Sequence, residues 1–205
     1  MSASSDGLGG RQLRRLERIM DVVFALAIWR VFTILPRPDP ANPEWDSVLE
    51  MFVDQWPRFL TSLVGTLILV VYWTQNNALL SRLRKTDSLH SSLAVFQLFF
   101  VLFLLYAIGV GLVGGSAPDT RVLESVAATL VGLFAFLAWR YAARNRRLVD
   151  ERLSDGEIHE TSRSNLAEPL TALLTIPFAF VGPLAWDLSW FLYPVIKRFV
   201  RSRVR

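Results

Sequence analysis

Two ionisable residues, Asp21 and Arg30, interrupt the apolar run that follows Arg18 in the stretch RRLERIMDVVFALAIWRVFTIL, Arg14 to Leu35. A charge inside a membrane segment costs about 2.5–3.5 kcal/mol near the middle of a lone helix, so it is kept where it pairs, carries ions or relays protons. The two cannot neutralise each other within one helix. Nine residues at about 100° each leave them about 180° apart. Asp21 therefore either meets another partner, Arg18 one turn earlier or Trp73, Asn76 and Asn77 in the next apolar segment, or lies close enough to the membrane surface to be hydrated. Arg30 has three open readings. It reaches outward to the headgroups, meets an acidic residue of a neighbouring subunit such as Asp54 or Asp187, or projects into a pore.

Other chemistry finds no support. The chain has no cysteine and only two histidines, His90 and His159, far apart in sequence, so no metal site is expected. No nucleophile and base stand at a usable spacing, so no catalytic residues, no enzymatic activity and no cofactor are expected. His90 reads as an interfacial residue where a helix begins.

The elements that must position these residues follow from the apolar pattern. The 205 residues are 52% hydrophobic, and long apolar runs alternate with short charged connectors. That is the pattern of an all-α integral membrane protein with a single domain over residues 1–205. A first span is expected over about Gln12–Leu35, closed by the PRPDPANP segment, whose prolines cannot continue it. EWDSVLEMFVDQWP reads as a short interfacial helix between Trp45 and Trp56. Further spans are expected over about Pro57–Arg82, Ser91–Val113 and Val122–Tyr141. The segment PLTALLTIPFAFVGPLAWDLSWFLYPVIKRFV has the length for two more, turning near Gly182-Pro183, which gives about six transmembrane helices; a re-entrant or five-span arrangement is the alternative, since Pro177, Asp187 and Pro194 weaken this hairpin. Residues 146–163 read as a cytoplasmic connector, with Thr161 or Ser162 as the cap of the fifth helix. A TVGYG-like pore-loop filter is absent from the sequence.

Arginine and lysine crowd the N-terminal end, the second-to-third and fourth-to-fifth connections and the C-terminal end, whereas the remaining connections are mostly acidic. The positive-inside rule then places both termini in the cytoplasm of an inner-membrane protein, with residues 1–11 as a cytoplasmic tail. The net charge of +4 follows from this topology and does not point to nucleic acid. The basic KRFVRSRVR end reads as an anchor to membrane lipid.

Four fragments resemble one family. RLERIMDVVFALAI resembles the first-helix signature of the endosomal/lysosomal potassium channel family and its bacterial six-helix homologues. VVYWTQNNALLSRLRKTD is similar to the end of that family's second helix, AWRYAARNRRL to the end of its fourth, and TIPFAFVGPLAW to its last hairpin. The resemblance implies a homotetramer in which four first helices line a pathway for potassium or another monovalent ion. It also implies that apolar side chains, not carbonyl rings, form the constriction. Arg15 and Asp21 match the ends of the first-helix signature, with Ile19 and Met20 replacing its Phe and Ser. By the same resemblance Leu26 falls on the main apolar constriction, Trp29 where Thr is usual, Arg30 on the second apolar layer and Thr33 on the third. Trp73 matches the second-helix Trp, and Asn76 and Asn77 fall at or beside a polar Asn-His-His motif.

With Leu26 as origin, Ile19, Val22, Arg30 and Thr33 fall within about 40° on a helical wheel, and Asp21 lies about 140° away. A pore face at Leu26 would thus include Arg30 and leave Asp21 to brace the helix from behind. The expected function is a potassium-permeable leak channel. The alternatives are a diverged member that passes anions or protons or conducts nothing, and a membrane scaffold that recruits a partner through its basic connectors.

Overall fold

A computed structural model describes residues 7–33, 35–37, 45–114 and 117–202. The chain is helical, and no strand occurs among the described residues. In order, the helices are α1 (Leu8–Thr33), α2 (Val48–Asp54), α3 (Trp56–Leu80), α4 (Ser88–Gly114), α5 (Pro118–Ala143), α6 (Asp155–Thr175), α7 (Pro183–Ser189) and α8 (Leu192–Ser202). Short 3₁₀ turns follow α5 and α6. Among the described residues, three stretches are long and apolar enough to cross a membrane: Arg58–Leu80, Ser88–Gly111 and Pro118–Arg146. α1 has the length at 26 residues, but its charges dilute its apolar character.

Several boundaries differ from the sequence expectation. α1 begins at Leu8, within the expected N-terminal tail; residues 1–6 lie outside the described residues, as do 38–44 of the proline-rich segment and 203–205 of the basic end. α5 begins at Pro118, a residue suited to a first helical turn because it has no N–H to leave unpaired. The cap of α6 is Ser154, not Thr161 or Ser162. Ser154 and Glu157 form a reciprocal capping box, which starts the helix at Asp155 and makes the second half of the expected 146–163 connector helical. Ile158 and Thr161 are buried along it.

The core lies between α1, α3, α4, α5 and α6, with Met20, Leu69, Val101, Val131, Trp139 and Leu148 among its most buried side chains. α5 and α6 cross closely at Gly132. A Cβ there would stand 2.7 Å from Pro169 Cδ and 2.8 Å from its nitrogen, so only glycine admits the contact. α8 packs back on α6 after the break at Gly182, whose φ of 154° favours a residue without a Cβ.

At one end of the bundle the two basic connectors are tied together. Arg84 N donates to Leu148 O and Asp150 N donates to Arg82 O, both at 2.9 Å, around an antiparallel bridge between Leu83 and Val149. Ion pairs Arg84–Glu151 and Arg147–Asp87 run alongside. Asp87 caps α4 by accepting from His90 N at 3.0 Å and also accepts from Tyr141 Oη at 2.7 Å. Burial pushes the Asp87 carboxyl up, but these two bonds and the Arg147 charge outweigh it and hold the group below the usual carboxylate range. His90, one turn past this cap where α4 begins, is buried, with Nδ1 2.8 Å from Thr86 Oγ1.

Candidate functional site

α1 carries two stripes. Leu13, Leu16, Met20, Phe24, Ala27 and Val31 recur every three or four residues and are buried. On the other side Ile19, Val22, Leu26 and Trp29 form an apolar stripe that the rest of the chain leaves uncovered; Leu26 is 59% exposed and Trp29 65%. Such a helix satisfies one face within its own subunit and presents a second apolar face to something else.

α1 runs antiparallel to α3. Thr86 N donates to Gly9 O at 3.1 Å just beyond the end of α3, Trp73 lies across from Asp21, and Val31 lies across from Gly65. Gly9 permits the first of these contacts, since a Cβ there would come within 2.9 Å of Lys85 Cβ. Trp73 Nε1 donates to Asp21 Oδ1 at 2.8 Å. The acceptor is a carboxylate on the flank of the α1–α3 contact, and a charged acceptor strengthens the bond. Asn76, one turn further along α3, is buried; Asn77 is half-buried, and neither reaches Asp21 through a hydrogen bond. Arg15 is exposed on the N-terminal half of α1.

Arg30 lies on the same side of α1 as Leu26 and is exposed. Its Nη1 donates to Thr33 Oγ1 at 3.1 Å, and Thr33 Oγ1 donates to the Arg30 carbonyl at 2.7 Å. The cation thereby sits over the C-terminal turn of α1, where the helix dipole favours positive charge. Asp54, one of its candidate partners, already accepts from Gln55 Nε2 at 2.6 Å and Trp45 Nε1 at 3.1 Å. Those two bonds, aided by Arg58 against a small burial effect, hold its carboxyl below the usual range.

A polar cavity of about 330 Å³ lies between α3, α4, α5 and α6, away from the exposed stripe of α1. Arg82, Gln97, Glu157, Glu160, Asn165 and Glu168 contribute its polar wall. Arg82 donates to Thr161 Oγ1, and Tyr72 Oη donates to Glu168 Oε1. Near the beginning of α5, Arg121 is buried and donates to Ala179 O at 2.8 Å, while Ser125 joins Thr175 at 2.7 Å and accepts from Trp186 Nε1 at 2.9 Å. Sequence reasoning missed this second cluster. Arg121 falls just outside the span expected at Val122–Tyr141, although Pro118 ahead of it marks a helix start that places it inside α5.

Residues 15–104 match the profile of the family described as endosomal/lysosomal potassium channel TMEM175. A potassium channel of Chamaesiphon minutus is 24% identical over 177 residues, which cover 82% of this chain and 84% of that protein. Two solved structures share the fold. One is a lysosomal potassium-selective channel TMEM175 homologue from Chamaesiphon minutus, with a TM-score of 0.69 and 18% identity over 94% of this chain and 98% of that one. The other is a variant of the potassium channel MtTMEM175 in complex with a nanobody fusion, with a TM-score of 0.67 and 20% identity over 98% and 97% of the two chains. With helices able to cross a membrane and a fold shared along nearly its whole length with these channels, the chain is a membrane protein whose residues 15–104 resemble the endosomal/lysosomal potassium channel family TMEM175.

Proposed function

We propose that this protein is a potassium-permeable leak channel in which copies of α1 surround the pathway and Leu26 forms the constriction. The observation that carries this reading is the uncovered apolar stripe Ile19–Val22–Leu26–Trp29, opposite a stripe buried against the subunit's own core. The relatives are named as potassium channels, which supplies the ion. Apolar side chains ringing an axis restrict passage by excluding water until the path widens. Four copies, six spans, cytoplasmic termini and insertion in the inner membrane belong to the same proposal, the spans being α1, α3, α4, α5, α6 and the α7–α8 return. Liposomes containing the purified protein should show potassium flux that rises through Leu26→Val and Leu26→Ala. Flux that is absent for every ion tested, or indifferent to residue 26, overturns the reading.

A second reading keeps the fold and changes the selectivity. Arg30 shares the Leu26 face and is held there by Thr33, so a ring of guanidinium groups would border the pathway. Such a ring repels cations and favours anions. On this reading the protein passes potassium poorly. The scaffold alternative loses ground, because Arg82, Arg84, Arg146 and Arg147 of the basic connectors are engaged within the subunit.

A further inference from the structure

Asn76 is 3% exposed, and its Nδ2 meets no hydrogen-bond acceptor among the described residues. A buried amide nitrogen left dry is costly, so such groups are nearly always bonded to protein or to ordered water. Asn76 lines a small cavity of about 20 Å³ between α3, α4 and α5, together with Leu79, Leu83, His90, Gln97 and Trp139. That volume suits one water molecule and nothing larger.

We infer that this cavity is a binding site for a single water molecule, which accepts from Asn76 Nδ2 and meets the polar edges of Gln97 and His90. The chemistry of the wall selects water. The unpartnered group is a donor, so the occupant must accept, and no carboxylate lines the cavity to hold a cation. His90 Nδ1 faces Thr86 Oγ1, leaving Nε2 as the second ring nitrogen, a donor in one tautomer and an acceptor in the other. Water can match either. Trp139 gives its N–H to Ser162 at 2.9 Å and contributes only ring surface.

Gln97 lines both this cavity and the larger polar one that contains Arg82, Glu157 and Glu168, so the site adjoins a polar space through which water exchanges. Its position gives it a structural role. Asn76 lies one turn from Trp73 on α3, and Trp73 holds Asp21 of α1. The water thus seats the same helix that braces the apolar stripe. This inference does not depend on the proposed ion pathway.

Hydroxyl radicals generated by a synchrotron X-ray pulse oxidise buried side chains beside bound water and spare dry ones. In the intact purified protein, Trp139 and His90 should be oxidised although they are only 2% and 3% exposed, while Met20, 1% exposed in the core, should stay unmodified. Asn76→Leu removes the donor, and Ala94→Val narrows the cavity wall from α4 without touching Asn76. In each, Trp139 oxidation should fall by about tenfold, as expected once the cavity no longer holds water. Trp139 and His90 as silent as Met20 overturn the inference. So does Met20 oxidised as fast as Trp139, or Trp139 oxidation unchanged in both variants. Should either variant fail to fold, the other and the wild-type comparison decide.

Discussion

The indole of Trp73 donates to Asp21 Oδ1 at 2.8 Å, joining α3 to α1 at a point where neither residue is buried. The bond adds to the buried stripe of α1 in setting which way the helix is turned. With Asp21 held on the α3 side, Met20 and Phe24 go into the core and Leu26 is left on the open face.

Asp21→Asn and Trp73→Phe should each lower the thermal midpoint of the purified protein. A hydrogen bond to a charged group contributes about 1.5–3 kcal/mol, and partial exposure brings the expected loss to about 1 kcal/mol. The double variant should lose less than the sum of the two. Additive losses would mean that the two side chains do not interact in solution.

Gly132→Ala should be among the more destabilising single-methyl changes in the chain, by about 1–3 kcal/mol, since the added carbon meets the Pro169 ring and backbone of α6. Gly109 is the control, because a Cβ there meets nothing within 4 Å. Equal melting of Gly132→Ala and Gly109→Ala would show that α5 and α6 do not cross as closely as described.

Asp87 predicts an acid-sensitive step. Its folded carboxyl titrates below the ordinary value, so the stability it contributes is present above the unfolded pKa of about 3.9 and is lost as pH falls through the folded value. Asp87→Asn should melt earlier at neutral pH and lose less on acidification than the wild type. Parallel melting-against-pH curves for the two proteins would remove Asp87 from the acid response.

Arg30→Leu separates the two selectivity readings. A guanidinium ring beside the Leu26 constriction should suppress potassium passage, and its removal should raise flux in liposomes by about tenfold, equivalent to about 1.4 kcal/mol of barrier. Flux equal to the wild type would place the Arg30 side chain away from the pathway.

Much of this arrangement was legible in the residues themselves. Apolar windows located α3, α4 and α5 to within a few residues, and Asp21 left Arg18 and three residues of the next helix as candidate partners, among which Trp73 makes the bond. Other features were written in short signals that hydropathy hides. Ser154 and Glu157 spell a capping box inside a polar stretch, and the polar first half of α6 buries only an occasional side chain such as Ile158. The burial of His90 and Arg121 was not readable, because each depends on residues of other helices or turns: Asn76 of α3 and Trp139 of α5 line the cavity beside one, and Ala179 accepts from the other. The same holds for the bridge between Leu83 and Val149, whose residues are ordinary loop members until the connectors meet.

That bridge and the Gly9 contact have a mechanical consequence. α1 is fastened to the α3–α4 connector at Gly9 and to α3 itself at Asp21, twelve residues later and about 18 Å along the axis. The connector is in turn stitched to its α5–α6 counterpart. The N-terminal half of α1 is therefore fastened at two points to the linked connectors and α3, whereas Val22 to Thr33 is held through the packing of Phe24, Ala27 and Val31. On the proposed pathway, a change in width at Leu26 would take one of two routes: bending of α1 beyond Asp21, or a tilt of α3 that carries α1 with it.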